Sequence, residues 1–156
     1  MKTKILLAFS WGHQFPNPGL SNEIMAQEII KIKNNFDYVI AQFEIGQALE
    51  THGVILEYVI GEPGKYINTY EVATAFAKWA KNKGIDTAQA DIGIMCHQTH
   101  WKGCKLVLKK RNIQASRIQV FVPYDPNSHQ WYTRGPLRAF ISKILHGVGY
   151  FLRDEI

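Results

Sequence analysis

The amino-acid sequence predicts an α/β fold class with a mainly parallel sheet. Short apolar runs rich in β-branched residues alternate along the chain with longer segments in which apolar residues recur at helical spacing. This alternation is typical of parallel strands joined by right-handed crossovers, with helices on both faces of the sheet. The 156 residues contain no internal repeat or low-complexity linker. We therefore expect one domain over residues 1–156, a three-layer Rossmann-like sandwich of about five strands.

Five apolar runs have the length of buried strands and are bounded by turn-forming residues. They cover residues 5–9, 38–43, 54–60, 92–95 and 117–123. If the strands lie in the order 3-2-1-4-5, the first and fourth are neighbours at the point where the winding direction reverses. Ligands of such sheets bind there, outside the carboxyl ends of the strands.

The first two helices are predicted from apolar spacing and from their end residues. Ser21 is a suitable N-cap for a helix over residues 22–34, because its hydroxyl can accept from a free backbone N–H. A short helix over residues 45–52 is expected to end at Gly53, which tolerates the left-handed conformation that often ends a helix.

The later helices have equally clear boundaries. Asn68 and Glu71 have the spacing of a capping box, which begins a third helix that Gly84 ends. A fourth helix begins near Trp101. A loop over residues 124–135 separates the last strand from a final helix, for which the proline at position 136 suits the first turn.

The excess of basic over acidic residues lies entirely in the last third of the chain. Residues 1–101 hold 8 basic and 10 acidic groups, whereas residues 102–156 hold 10 and 3, within a net charge of +5. Lys102, Lys105 and Lys109 share the polar side of the fourth helix. This pattern indicates either a solvated helix face or a field that attracts a small anionic ligand. Nucleic acid is the less favoured partner, because no helix-turn-helix, zinc-finger or RNP pattern is present.

The cysteines and the first residues indicate a cytoplasmic protein. Cys96 and Cys104 are too few for a disulfide framework, and their spacing across a strand-to-helix turn disfavours a bond between them. The apolar run over residues 5–9 is too short for a signal peptide or a transmembrane segment. The expected compartment is therefore reducing.

Polar residues at the predicted strand ends form the candidate site. Ser10, Gly12 and His13 follow the first strand, and His97 and His100 follow the fourth. Because these ends share one edge of a parallel sheet, we expect them to line one crevice with the helix start at Asn68 and Thr69. The helix N-terminus there can hold an anion. His100 is the candidate catalytic residue, since histidine titrates near neutrality.

The segment Tyr-Ile-Asn-Thr-Tyr-Glu-Val-Ala at residues 66–73 resembles the Asn-Thr-x-Glu-Asn-Ala signature of the YdcF/SanA/ElyC-like bacterial proteins. His100-Trp101-Lys102-Gly103 is similar to the His-x-x-Arg-Ala that follows a strand in that family. The resemblance implies a Rossmann-like fold with a ligand pocket at the strand ends, and Asn68, Thr69, Glu71 and Lys102 as ligand-binding residues beside His97, which the position of the strand ends selects. It also implies nucleotide-like ligands, S-adenosylmethionine among them, and for some relatives a role in envelope assembly.

The chain departs from the family pattern at several positions. Lys102 stands where the family has arginine, which keeps the charge but loses bidentate phosphate geometry. These departures leave the expected fold unchanged and weaken any inference about catalysis. The others are Ser10-Trp11-Gly12 and Ala41-Gln42-Phe43 for glycine-rich strand ends, Asn22 for arginine, and Gln47-Ala48 for an acidic residue and alanine.

A metal site is the sharpest alternative that the motif offers. Cys96, His97, His100 and Cys104 have spacings that partly suit zinc. Adjacent residues of an extended strand point to opposite faces, however, so Cys96 and His97 should diverge. We expect no bound metal. Walker-type and Gly-x-Gly-x-x-Gly loops are absent, which argues against an ordinary kinase or a nicotinamide dehydrogenase.

Three classes of function are compatible with these residues. In an enzyme, His100 would act as acid or base while Lys102 and the helix start at Asn68 and Thr69 hold a phosphate or carboxylate. In a sensor or an envelope-biogenesis accessory protein, the same pocket would bind its ligand without chemistry. A basic surface for nucleic acid or an anionic membrane is the weakest alternative. Neither a cofactor nor an oligomeric state can be assigned from the sequence.

Overall fold

Five parallel strands form one sheet. The computed structural model describes the backbone of residues 2–151 and the side chains of residues 2–145. Every strand pairing is parallel, which confirms the predicted fold class, and the order is β3-β2-β1-β4-β5, the order on which the predicted position of the site depends. The strands are β1 (Lys4–Ala8), β2 (Tyr38–Gln42), β3 (Tyr58–Ile60), β4 (Asp91–Met95) and β5 (Ser116–Arg117).

Five α-helices cover the two faces of the sheet. They are α1 (Leu20–Ile32), α2 (Phe43–Thr51), α3 (Thr69–Asn82), α4 (Trp101–Lys109) and α5 (Pro136–Phe151). The predicted loop over residues 124–135 contains one 3₁₀ turn, Trp131–Thr133. Over residues 2–151, no helix combines the length and apolar content needed to cross a bilayer.

The alternation of side chains along the strands divides the core into two halves. Ile5 and Leu7 of β1 pack with Phe76 of α3 and Leu108 of α4. Leu6, on the opposite face of the strand, packs with residues of α1, α2 and α5, among them Met25, Leu49 and Ala139. Because successive strand residues point to opposite faces, the apolar runs of β1 supply both halves. The result is the expected three-layer sandwich.

Both edge strands differ from their predicted extent. Residues 54–57 do not belong to β3, although Val54 and Leu56 still pack against the α1 and α2 half of the core. Residues 118–123 likewise lie outside β5, although Val122 is fully buried. The Gln98 side chain pairs with the Val122 backbone there, accepting from N–H at 3.2 Å and donating to the carbonyl at 2.9 Å. At this position the Gln98 side-chain amide makes the hydrogen bonds to the backbone that a neighbouring strand would otherwise make.

The start of α1 corrects the predicted cap. The helix begins at Leu20, with Gly19 as its N-cap and no cap hydrogen bond from a neighbouring side chain. Ser21 is buried and donates to the Pro123 carbonyl at 2.8 Å instead. The Leu20 N–H donates to Asp125 Oδ2 at 2.9 Å, a partner 105 residues away. Gly19 has a φ of +87°, and a Cβ there would lie 2.8 Å from that oxygen. The cap is therefore tertiary rather than local.

The start of α3 confirms the predicted capping box. Asn68 Oδ1 accepts from the Glu71 N–H at 3.0 Å, and Glu71 Oε2 accepts from the Asn68 N–H at 2.7 Å. Both residues are exposed. Each side chain thus satisfies a free backbone donor of the helix end.

Replacing Asn68 by alanine should therefore cost stability. We expect Asn68→Ala to lower the free energy of unfolding by about 0.5–2 kcal/mol, the usual effect of losing an N-cap. Asn68→Asp should be nearly neutral, because a carboxylate accepts the same hydrogen bond and favours the helix N-terminus. Chemical denaturation of both variants measures this, and an unchanged value for the alanine variant would contradict the capping role.

Candidate functional site

The carboxyl ends of β1 and β4 meet at one edge of the sheet, as the strand order requires. Ala8 pairs with Met95, and the Phe9 N–H donates to the Met95 carbonyl at 2.9 Å. Beyond this pair, the Trp11 ring stacks on the His97 ring with 4.5 Å between centroids and 9° between planes. Trp11 also lies 5.4 Å from the His100 ring. The two strand ends therefore share one aromatic and imidazole cluster.

Hydrogen bonds fix the tautomer of His97. The ring is fully buried, and its Nδ1 accepts from the Thr99 N–H at 3.3 Å, with Thr99 Oγ1 at 2.7 Å. Since Nδ1 accepts, the proton of the neutral ring lies on Nε2. Nε2 is buried without a hydrogen-bond partner among the described residues, and so is Trp11 Nε1. Two buried N–H donors of a stacked pair thus have no acceptor in residues 2–145.

The His97 ring is held neutral. Its pKa is lowered from 6.5 to about 4, mainly by burial and also by the charge of Lys143 and of His100 when that ring is protonated. The Val122 backbone opposes this shift. The Val122 carbonyl is thus near enough to His97 to act as an acceptor, although its contact with Nε2 does not have hydrogen-bond geometry. At neutral pH, His97 is therefore an uncharged donor.

His100 joins the start of α3 to this cluster. Its Nε2 lies 3.1 Å from Thr69 Oγ1, and its ring stands edge-on to Phe9 at 6.4 Å. Burial, together with a smaller effect of the charge of Lys143, lowers its pKa from 6.5 to about 4. The structure thus brings together Thr69, His97 and His100, three of the residues selected from the sequence.

The positive charge that acts on both histidines is Lys143, an exposed residue of α5. Lys102, which the sequence selected, is exposed on α4, and no described contact joins it to His97, His100 or Thr69. Sequence reasoning missed Lys143 because no local pattern shows where α5 packs. Trp11 was also missed, although a large aromatic residue directly after a buried strand could have identified it.

The remaining residues at the end of β1 face other neighbours. The Ser10 N–H donates to Gln42 Oε1 at 3.1 Å, which ties the ends of β1 and β2. Gly12 has a φ of +74°, and a Cβ there would lie 2.5 Å from Ser128 Oγ. The His13 N–H donates to the same hydroxyl at 3.2 Å. These residues hold the segment between β1 and α1 against the loop at 124–135.

His13 also lines a recess beside the start of α2. Phe15, Glu44, Lys65 and Tyr66 line it as well. Glu44 Oε2 is buried there without a hydrogen-bond partner in the described part of the chain. Asn68 and Glu71, which the sequence also selected, direct their side chains to each other's backbone in the capping box.

The cysteines and histidines of the motif diverge. Cys96 and Cys104 are free, buried, and packed in the half of the core that α3 and α4 cover. Burial and the neighbouring Cys96 thiol raise the pKa of Cys104. His97 stacks on Trp11, which packs in the other half. Within the described residues, no three His, Cys, Asp or Glu side chains are placed to hold a metal ion.

Comparisons with known proteins do not assign the chain to a family. No protein-family model matches the chain, and no curated protein sequence matches it. The chemistry of the site must therefore be inferred from its own residues.

Proposed function

We propose that the protein binds a small anionic, nucleotide-like ligand where the carboxyl ends of β1 and β4 meet. The observation that carries this proposal is the pair of buried N–H donors on Trp11 and His97 without an acceptor in the described residues. An unsatisfied buried donor costs about 1–3 kcal/mol. A phosphate or carboxylate oxygen that accepts from both would recover this cost, and the charge of Lys143 would attract it.

The aromatic surroundings support a nucleotide over a bare anion. His97 contacts both Trp11 and Tyr124, whose ring centroid is 4.6 Å away, and Tyr132 stands edge-on to Trp11 at 6.0 Å. Flat rings of this kind stack favourably on nucleobases. The resemblance to YdcF-like proteins, with their nucleotide-like ligands, forms part of the same proposal.

The titration of the histidines favours binding over acid–base catalysis. A general base works best with a pKa near the operating pH. The pKa of His100 is about 4, so this ring is neutral but weakly basic at neutral pH. An anion beside the two rings would raise both pKa values, and binding would then take up protons. We therefore propose that the protein is a binding module or a sensor. The alternative is an enzyme in which His100 acts as acid or base.

A thermal-shift screen tests the proposal directly. The compounds are adenine and guanine nucleotides, S-adenosylmethionine, sugar phosphates and inorganic phosphate, with uncharged adenosine as the control. A ligand present at about one hundred times its Kd stabilises by about 2.7 kcal/mol, which raises Tm by several degrees. If no phosphate or carboxylate compound raises Tm more than adenosine and sodium sulfate do at equal ionic strength, the proposal is wrong.

Two lysine variants locate the positive charge of the site. We expect Lys143→Gln to weaken the best phosphate compound at least about fivefold, since attraction between nearby unit charges is worth about 1 kcal/mol even in water. Lys102→Gln, the matched control, should leave the affinity unchanged. Isothermal titration calorimetry measures both. If only Lys102→Gln weakens binding, the lysine selected from the sequence holds the ligand and Lys143 does not.

A further inference from the structure

Helix α5 turns its large apolar side chains outward. Leu137, Phe140, Ile141, Ile144 and Leu145 recur at three- and four-residue spacing, so they form one continuous face of the helix. All five are exposed, with fractions of 70, 61, 40, 53 and 62% in that order. An exposed apolar face of this size marks an interaction surface rather than an ordinary solvated helix.

The opposite side of α5 explains this orientation. Ala139 and Ser142 are the only buried side chains among residues 136–145 of α5, with exposed fractions of 3 and 5%. The helix contacts the 3₁₀ turn Trp131–Thr133. Small residues let α5 approach the body of the protein closely, and the apolar face is left without a partner among the described residues.

The charges around this face have one sign. At 3.6 residues per turn, Arg138 and Lys143 fall on its two borders. The sequence has no acidic residue between Asp125 and Asp154. Trp131, with 44% of its surface exposed, lies five residues before the first residue of α5. An apolar helix face bordered by basic side chains and an aromatic residue is the pattern of helices that lie in the headgroup region of a membrane.

We propose that α5 docks the protein onto an anionic lipid surface. The apolar face would enter the boundary between headgroups and acyl chains, while Arg138 and Lys143 extend to lipid phosphates. This inference is independent of the proposed ligand site, although Lys143 contributes to both.

Charge also decides against a second copy of the chain as the occupant. A two-fold contact through α5 would place the Arg138 and Lys143 of one copy against those of the other. No acidic residue of the segment 126–151 could pair with them. Like charges across an interface disfavour association, whereas a bilayer with anionic headgroups supplies the complementary charge.

Vesicle co-sedimentation of the full chain tests the proposal. We expect binding to vesicles of equal parts phosphatidylcholine and phosphatidylglycerol, weakening with salt, and much less binding to phosphatidylcholine alone. The double variant Leu137→Gln/Ile144→Gln should weaken binding at least about tenfold, because burial of one such side chain is worth about 1.5–3 kcal/mol. Arg138→Gln should weaken it about fivefold, from about 1 kcal/mol per basic residue.

Matched variants on α4 separate docking from general surface effects. Leu106, with 56% of its surface exposed, and the exposed Lys109 lie outside α5. Leu106→Gln and Lys109→Gln should leave vesicle binding unchanged, and all variants should keep the native Tm. Absent binding, equal binding to both vesicles, or an equal loss in Leu106→Gln would overturn the proposal. A dimer in analytical ultracentrifugation that Leu137→Gln/Ile144→Gln dissociates would overturn it in favour of a second copy.

Discussion

Asp125→Ala is expected to lower the free energy of unfolding by about 4.5 kcal/mol or more, because it removes three hydrogen bonds to a charged group, each worth about 1.5–3 kcal/mol. Asp125 is 2% exposed. Its carboxylate accepts from Gln14 Nε2 at 2.8 Å, from the Leu20 N–H at 2.9 Å and from the Asn127 N–H at 3.0 Å. The substitution leaves donors in three segments of the chain without their acceptor. Guanidinium denaturation measures the resulting change in the free energy of unfolding.

A second aspartate provides the control for this variant. Asp86 is exposed and accepts from the Ala88 N–H at 2.9 Å, a local turn like the one at Asn127. Asp86→Ala should cost less than about 1 kcal/mol, since water can replace the lost acceptor. If the two variants lose equal stability, the carboxylate of Asp125 does not hold these segments together.

Acid should destabilise the protein through its buried histidines. The pKa of His97 is about 4 in the folded protein and 6.5 as the ordinary value. Above pH 6.5 the ring is neutral in both states. As the pH falls toward 4, the unfolded chain binds a proton that the folded protein does not, so stability is lost. At about 1.4 kcal/mol per unit of pKa, His97 accounts for roughly 3 kcal/mol. His100 shifts in the same direction and adds to the loss.

Histidine variants identify the source of this pH dependence. We expect His97→Gln to reduce the loss of unfolding free energy between neutral pH and about pH 4, with equilibrium denaturation at each pH as the measurement. His52→Gln, at an exposed position, should retain the loss. A pH dependence that stays the same in both His97→Gln and His100→Gln would show that neither ring is its source.

The fold could be predicted because the strands and helices have different apolar periods. The alternation predicted the fold class, whereas the strand order 3-2-1-4-5 was only a condition of the site prediction, which the structure meets. The lengths of β3 and β5 could not be predicted in the same way. Apolar residues such as Leu56 and Val122 report burial, but they do not show whether the backbone bonds to another strand or to a side chain such as Gln98.

The site could be predicted only where chain order determines proximity. Thr69 and His100 meet because each begins a helix just beyond a strand end on the same edge. Stacking of Trp11 on His97 depends on the path of a loop, and the influence of Lys143 depends on where α5 packs. The cap of α1 shows the same limit. Ser21 has the chemistry of an N-cap, but its hydroxyl donates to Pro123, and the Leu20 N–H at the start of the helix donates to Asp125.

The remote cap of α1 has a consequence for the order in which the chain is made. During synthesis, α1 leaves the ribosome long before Pro123 and Asp125, so its first turn must wait for its hydrogen-bond acceptor. The segment that carries Trp11, Gly12 and His13 is likewise held by Ser128. A nascent chain that stops before residue 123 therefore retains the local bonds of Asn22 to Trp11, Gly12 and Pro18 but lacks the acceptors at Asp125 and Ser128. The segment after β1 therefore gains its full set of hydrogen bonds only after residues 123–128 have been made.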